Sequence, residues 1–187
     1  MFLSRFLRTR NMNRTMWLPD ARVGQTEDMD DKLLGIYLND HLAGAAIGLE
    51  VARRTLGNNQ GTVYEPFLRD LAQAIEEDKA ELENLMDGLG LSRDRLKQGA
   101  AWVAEKAGRL KLNGQLTGYS PLSRLIEFEG LFLGVTGKRS LWRSLKQVAD
   151  HDSRLAVTDF DKLLTRAEEQ LAGLEEHRLR AAGEALT

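Results

Sequence analysis

Apolar side chains recur every three or four positions along most of the chain from Asp30 onward, and no stretch alternates apolar and polar residues as a strand does. This pattern predicts an all-α protein. Glycines, prolines and turn-rich clusters divide the periodic stretch into five helices. The predicted helices span about 31–56, 63–88, 92–112, 121–150 and 159–186.

Residue types at the helix boundaries support this division. Ser120 followed by Pro121 is typical of an N-cap and the first residue of a helix. The triplet Gly88-Leu89-Gly90 is typical of a helix C-terminus. Thr158 with Asp161 resembles a capping box, which would open the last helix.

The helix predicted at 121–150 has an apolar face that changes side after Gly134 and Gly137. We therefore expect a kink near Gly137. Beyond it, an apolar patch that we expect to be exposed, together with Trp102, would suit an oligomer surface and predicts a homodimer. The patch consists of Leu141, Trp142 and Leu145.

Ionisable residues interrupt the apolar faces of four helices. With 100° between successive residues, Asp40 and His41 fall on the apolar side of the first helix, and Asp78 falls at the centre of the apolar row of the second. Glu129 lies among apolar residues of the fourth helix, and Arg178 lies in the apolar row of the last. All five side chains are therefore predicted to point inward.

The positions of these residues along the chain predict which of them meet. In an antiparallel hairpin, residues at equal distances from the turn lie at the same level. Counted this way, Asp40 lies level with Asp78, and Glu129 lies level with Arg178. The small residues at 43–46 are expected to allow another helix to approach closely.

A buried carboxylate is costly unless a cation or a proton neutralises it. Two arrangements would provide neutralisation. Arg178, with help from His41, could complete a buried charge network that holds no metal. Alternatively, iron or manganese could bind between Asp40, His41, Asp78 and Glu129, because carboxylates and imidazole are ordinary ligands of these metals.

Composition narrows the function classes. The chain has 187 residues, a net charge of −2 and no cysteine. A single domain is expected at this length, with residues 1–29 as a flexible basic tail and residues 30–187 as the helical bundle domain. The absence of cysteine excludes disulfides and thiolate chemistry, and the acidic balance argues against nucleic-acid binding.

No apolar run reaches the ~18 residues that a membrane span requires. The tail contains Arg5, Arg8, Arg10 and Arg14 but lacks the long apolar core of a secretory signal. We therefore expect a cytoplasmic protein without a membrane span.

The helix order and the inward acids resemble the ferritin-like superfamily, and within it the small bacterial stress-associated ferritin-like domains. The resemblance implies an antiparallel four-helix bundle with an additional crossover helix. It also implies a dinuclear metal site built from two carboxylates and two Glu-x-x-His motifs. Asp40 in YLNDHLAG and Glu129 in IEFEG match the two carboxylates, and Asp78 falls near the histidine of the second-helix motif.

The chain departs from the family pattern in the motifs themselves. Neither the second nor the last helix contains Glu-x-x-His, and Arg178 occupies the inward row beside the nearest string, LEEHR. A guanidinium there would repel iron. We therefore expect a non-catalytic bundle with a degenerate metal centre. The competing hypothesis is an iron- or manganese-binding carboxylate protein acting in metal storage, stress protection or oxidation.

Overall fold

The computed structural model describes residues 30–93 and 119–187, and within these ranges the protein is helical with no strand. The prediction of an all-α helical bundle is confirmed. Four helices form it: α1 (Asp31–Asn58), α2 (Glu65–Gly88), α3 (Pro121–Val148) and α4 (Phe160–Leu186). The predicted tail at 1–29, Trp102 and almost all of the predicted helix at 92–112 lie outside the described residues.

The helices begin and end close to where the sequence indicates. The Ser120 hydroxyl accepts a hydrogen bond of 3.1 Å from the Ser123 amide, and Pro121 opens α3. Gly90 has a φ of 70° just beyond α2, a conformation that glycine adopts without strain. The last helix is capped by Asp159, which accepts from the Lys162 amide at 3.0 Å, so the predicted capping residue is wrong by one position.

Contacts between helices define their directions. Arg54 near the end of α1 binds Glu127 near the start of α3, so these two helices are antiparallel. Tyr64 just before α2 binds Glu184 at the end of α4, so α2 and α4 are also antiparallel. Consecutive helices form the antiparallel hairpins α1–α2 and α3–α4. Since α1 is antiparallel to both α2 and α3, the helices α2 and α3 are parallel. Gly88 and Pro121 consequently lie at opposite ends of the bundle.

The apolar core forms two clusters along the bundle axis. One cluster contains Leu42, Leu82 and Leu141, and the other contains Leu49, Ile75 and Val135. On each helix the residues between the two clusters are small or polar, except for Ile47 of α1. The core is therefore divided by a layer that holds Ala45 of α1, Asp78 of α2 and Lys138 of α3.

The apolar patch in the second half of α3 is part of the core. Leu141, Trp142 and Leu145 are each 1% exposed, and Trp142 packs against the Phe160 ring with 6.5 Å between centroids. The expectation of an exposed oligomer surface is therefore wrong, because α4 covers this face. The helix also remains α-helical through Gly137, and its buried row continues from Leu131 and Val135 to Trp142, so the predicted change of side is wrong.

None of the helices in residues 30–93 and 119–187 combines the length and apolar character that crossing a membrane requires.

Candidate functional site

Asp78 lies at the centre of the bundle with 3% of its surface exposed. Its Oδ2 atom accepts hydrogen bonds from the Lys138 ammonium and, at 3.0 Å, from Gln170 Nε2. Its Oδ1 atom forms an ion pair with the Arg166 guanidinium. The Lys138 ammonium also donates to Gln170 Oε1. We call Asp78, Lys138, Arg166 and Gln170 the Asp78 cluster.

The Asp78 cluster contains two cations and one carboxylate. Arg166 also contacts Glu77 at 3.4 Å, but that carboxylate is 52% exposed and is screened by water. Burial lowers the pKa of Lys138, and the Asp78 carboxylate opposes this shift. Because Lys138 and Arg166 share one buried carboxylate, the cluster carries one positive charge in excess when both are ionised.

A cavity of about 340 Å³ lies beside the Asp78 cluster, between α1, α2 and α3. Its wall includes Asp78 and Lys138 and is otherwise largely apolar. At this level α1 contributes Gly44, Ala45 and Gly48, and a Cβ added to either glycine would meet no atom within 4 Å. The expected close approach at the small residues is therefore wrong, because these residues leave space between the helices. The remaining wall residues are Asp40, His41, Ile75, Lys79, Leu82, Leu131, Leu133, Gly134, Val135, Gly137, Leu141 and Trp142.

Trp142 is one of the residues that line the cavity. Its Nε1 atom is buried and has no hydrogen-bond acceptor among the described residues. Because Trp142 follows Lys138 by four positions, both side chains lie on the same face of α3. A buried N–H without an acceptor is unfavourable, so this indole lowers the stability of the fold.

Of the first-helix residues predicted from the sequence, neither is fully buried. Asp40 is exposed and His41 is half-buried, although both reach the cavity wall. The prediction that Asp40 points into the core is wrong, because the buried row of α1 runs through Leu38 and Leu42 on the neighbouring side of the helix. Burial lowers the pKa of His41, and its ring contacts Tyr37 edge-on at 4.6 Å.

Glu129 and Arg178 do lie level with each other, with 3.9 Å between carboxylate and guanidinium. The Glu129 side chain is 49% exposed and that of Arg178 is 25% exposed, so the prediction of a deeply buried pair is wrong. Arg178 donates two hydrogen bonds of 2.8 Å to Glu175, which raise its pKa. The core-facing row of α3 runs through Leu125 and Phe128, one position away from Glu129.

The four residues predicted to hold a metal are not brought together as one ligand set. In residues 30–93 and 119–187, no group of three or more histidine and acidic side chains has a geometry that could hold a metal ion. The Asp78 carboxylate is already bound by two cations, and Glu129 is absent from the cavity wall. These residues do not fit a dinuclear metal centre.

Sequence reasoning missed Lys138, Arg166 and Gln170. A pattern for Lys138 is present in the sequence, because it continues the buried row Leu131, Val135, Trp142 and Leu145 at alternating spacings of four and three. Gln170 continues the row of Leu163, Ala167 and Leu174 in the same way. Arg166 has no such pattern, since it reaches Asp78 from the edge of α4.

A second polar cluster lies at the end of the bundle where α1 meets α2. The Tyr64 hydroxyl donates to Glu184 at 2.8 Å, and Arg124 joins Glu184 at 2.5 Å and Asn59 at 2.6 Å. The hydroxyl of Tyr119 accepts a hydrogen bond from Asn59 and donates one to Glu127, both at 2.9 Å. We call the set the Tyr64 cluster: Arg54, Asn59, Tyr64, Tyr119, Arg124, Glu127 and Glu184.

Comparison of the chain with protein-family models, with curated proteins and with solved structures finds no match.

Proposed function

We propose that this chain is a non-catalytic, ferritin-like helical bundle that binds a small apolar molecule, with the Asp78 cluster in place of a metal centre. The observation that carries the proposal is the layer that divides the core. There, the Asp78 carboxylate is bound by Lys138 and Arg166 beside a largely apolar cavity of about 340 Å³.

The ferritin-like part of the proposal is supported by the arrangement of the helices. Two antiparallel hairpins pack with α1 antiparallel to α3 and α2 antiparallel to α4. Ferritin-like bundles build their metal sites from inward side chains in the middle of the helices. Asp78 occupies such a position, and two side-chain cations surround it.

The binding part of the proposal is supported by the shape and chemistry of the cavity. Small-molecule sites are typically concave, mostly apolar and provided with a few polar groups that orient the ligand. The cavity has this character, with Lys138 and Asp78 on an otherwise largely apolar wall. Its volume lies at the lower end of the range for small-molecule sites.

The competing proposal is a metal-binding carboxylate protein that takes up iron or manganese. It is favoured by one observation, that Asp40, His41 and Asp78 reach the same cavity wall. It would require Asp78 to release Lys138 and Arg166. Elemental analysis of protein purified without chelator, before and after incubation with ferrous iron, separates the two proposals. Stoichiometric metal that disappears in Asp78→Ala would favour the metal-binding protein.

The binding proposal is tested by titrating the full chain with neutral and anionic eight-carbon probes, 1-octanol and octanoate, by calorimetry. Binding should be lost in Gly48→Leu, which fills the cavity from α1. The matched control is Gly130→Leu, because Gly130 has open space around it and does not line the cavity. Absence of binding by both probes to the wild-type chain would overturn the proposal.

A further inference from the structure

The Lys138 ammonium has donor capacity that the protein leaves unused. An ammonium carries three N–H donors. Two of them are directed to Asp78 Oδ2 and Gln170 Oε1, and the described residues supply no third acceptor. Because Lys138 also lines the cavity, a bound molecule can reach the remaining donor.

Trp142 lies on the same wall but is almost wholly enclosed by the protein. The residue is 1% exposed, and its Nε1 atom lacks an acceptor among residues 30–93 and 119–187. One helical turn separates it from Lys138 on α3. The unused donor of Lys138 favours a ligand that carries an acceptor oxygen, and the Trp142 indole can report its binding.

The charge of the surroundings selects an anion over a neutral acceptor. The Asp78 cluster has two cations for one buried carboxylate, so a single negative charge at Lys138 would balance it. The other cation on the wall, Lys79, is already paired with Glu83. The other acid on the wall, Asp40, is exposed and screened by water.

The volume of the cavity indicates the size of the molecule, or part of a molecule, that it can hold. At about 30 Å³ for each water-sized group, 340 Å³ is room for roughly eleven groups. Its largely apolar wall favours a hydrocarbon body, since only a small part of the lining is polar. A short-chain or medium-chain carboxylic acid has both the size and the chemistry.

We propose that the cavity binds a small monocarboxylate with an apolar tail, whose carboxylate accepts a hydrogen bond from Lys138. This inference rests on the proposed binding function and specifies its ligand. Burial lowers the pKa of Lys138, and an anion bound beside the ammonium would raise it again.

The experiment compares three probes of equal chain length, octanoate, 1-octanol and octylammonium, by calorimetry on the full wild-type chain. Octanoate should bind at least about tenfold more tightly than 1-octanol, as expected for a charge-assisted hydrogen bond in a buried site. Lys138→Met should abolish this preference and leave 1-octanol binding within about threefold. The wild-type comparison does not depend on whether the variant folds.

A second measurement follows the Trp142 indole. Its N–H resonance is identified by its loss in Trp142→Phe, and octanoate should shift it more than 1-octanol does. Equal affinity for octanoate and 1-octanol, or tighter binding of octylammonium, would overturn the carboxylate assignment and leave the binding function standing. Failure of all three probes to bind would instead overturn the binding function itself.

Discussion

The Asp78 cluster and the Tyr64 cluster differ in charge balance. At the end of the bundle, the guanidinium groups of Arg54 and Arg124 meet the carboxylates of Glu127 and Glu184, so two cations face two anions. In the middle, two cations face the single buried carboxylate of Asp78. The first cluster is balanced within the chain, whereas the second is balanced only if the exposed Glu77 carboxylate beside Arg166 is counted.

The two regions also differ in packing. Near the Tyr64 cluster, the Phe67 ring stacks on His177 with 4.1 Å between centroids, and it lies against Gly173 so closely that a Cβ there would overlap it. Beside the Asp78 cluster, a Cβ on Gly44 or Gly48 would meet nothing within 4 Å. The tight packing favours a structural role for the Tyr64 cluster, and the open space is the basis of the binding role proposed for the cavity beside the Asp78 cluster.

The largest effect is expected at the unbalanced cluster. Asp78→Leu leaves Lys138 and Arg166 without their buried anion and should lower the free energy of unfolding by about 3–5 kcal/mol. Urea denaturation measures this change. The control is Glu184→Gln in the Tyr64 cluster, where the carboxylate is 41% exposed and a loss below about 1 kcal/mol is expected. Equal losses in the two variants would contradict the proposed difference.

The packing contrast predicts opposite signs for the same substitution. Gly173→Ala should lower stability by about 1–3 kcal/mol, because the new methyl group must displace the Phe67 ring. Gly44→Ala should raise stability by about 0.5–1 kcal/mol, because the methyl group enters open space and alanine favours the helix. Thermal unfolding of the two variants tests the pair. A gain in Gly173→Ala would show that this region is less tightly packed than described.

Removing one donor from the balanced cluster should have a moderate effect. Tyr64→Phe deletes the hydroxyl that donates to Glu184, while Arg124 continues to bind the same carboxylate. A loss of about 1 kcal/mol in unfolding free energy is expected. A loss several times larger would mean that the Tyr64 cluster also depends on one group, as the Asp78 cluster does.

The smallest effect is expected at His41 on the cavity wall. Burial lowers its pKa below 6.5 in the folded protein, and Asp40 opposes the shift. The unfolded chain therefore binds more protons between the folded pKa and 6.5, so stability is lost as the pH falls through that window. The difference in stability between wild type and His41→Asn should show this slope, and a difference that is flat from pH 7 to pH 5 would contradict it.

The sequence predicted where the helices lie, and which residues are at the same height in the bundle, better than it predicted which face of each helix is buried. Asp40 and Asp78 reach one cavity, and Glu129 meets Arg178, as counting from the turns predicts. Helix rise is nearly constant, so levels follow from residue numbers alone. The helices α1 and α3, however, carry two adjacent apolar rows. Which row is buried depends on the neighbouring helix, and the choice was wrong for both Asp40 and Glu129.

The cations of the Asp78 cluster were missed for a related reason. Lys138 lies in the buried row of α3, but a long side chain usually extends from the core to water. That Lys138 lies opposite Asp78 follows only from the way the helices assemble. Arg166 reaches that carboxylate from outside the apolar row of α4, so its role depends on side-chain length and direction and not on periodicity.

The central claim is that Lys138 and Asp78 form a coupled ion pair in the middle of the bundle, in the place of a metal. A double-mutant cycle of Asp78→Leu and Lys138→Met, measured by urea denaturation in metal-free buffer, tests it most directly. The account predicts a coupling energy of about 2–3 kcal/mol, with the double variant more stable than Asp78→Leu alone. Additive losses, within about 0.5 kcal/mol, would contradict the claim.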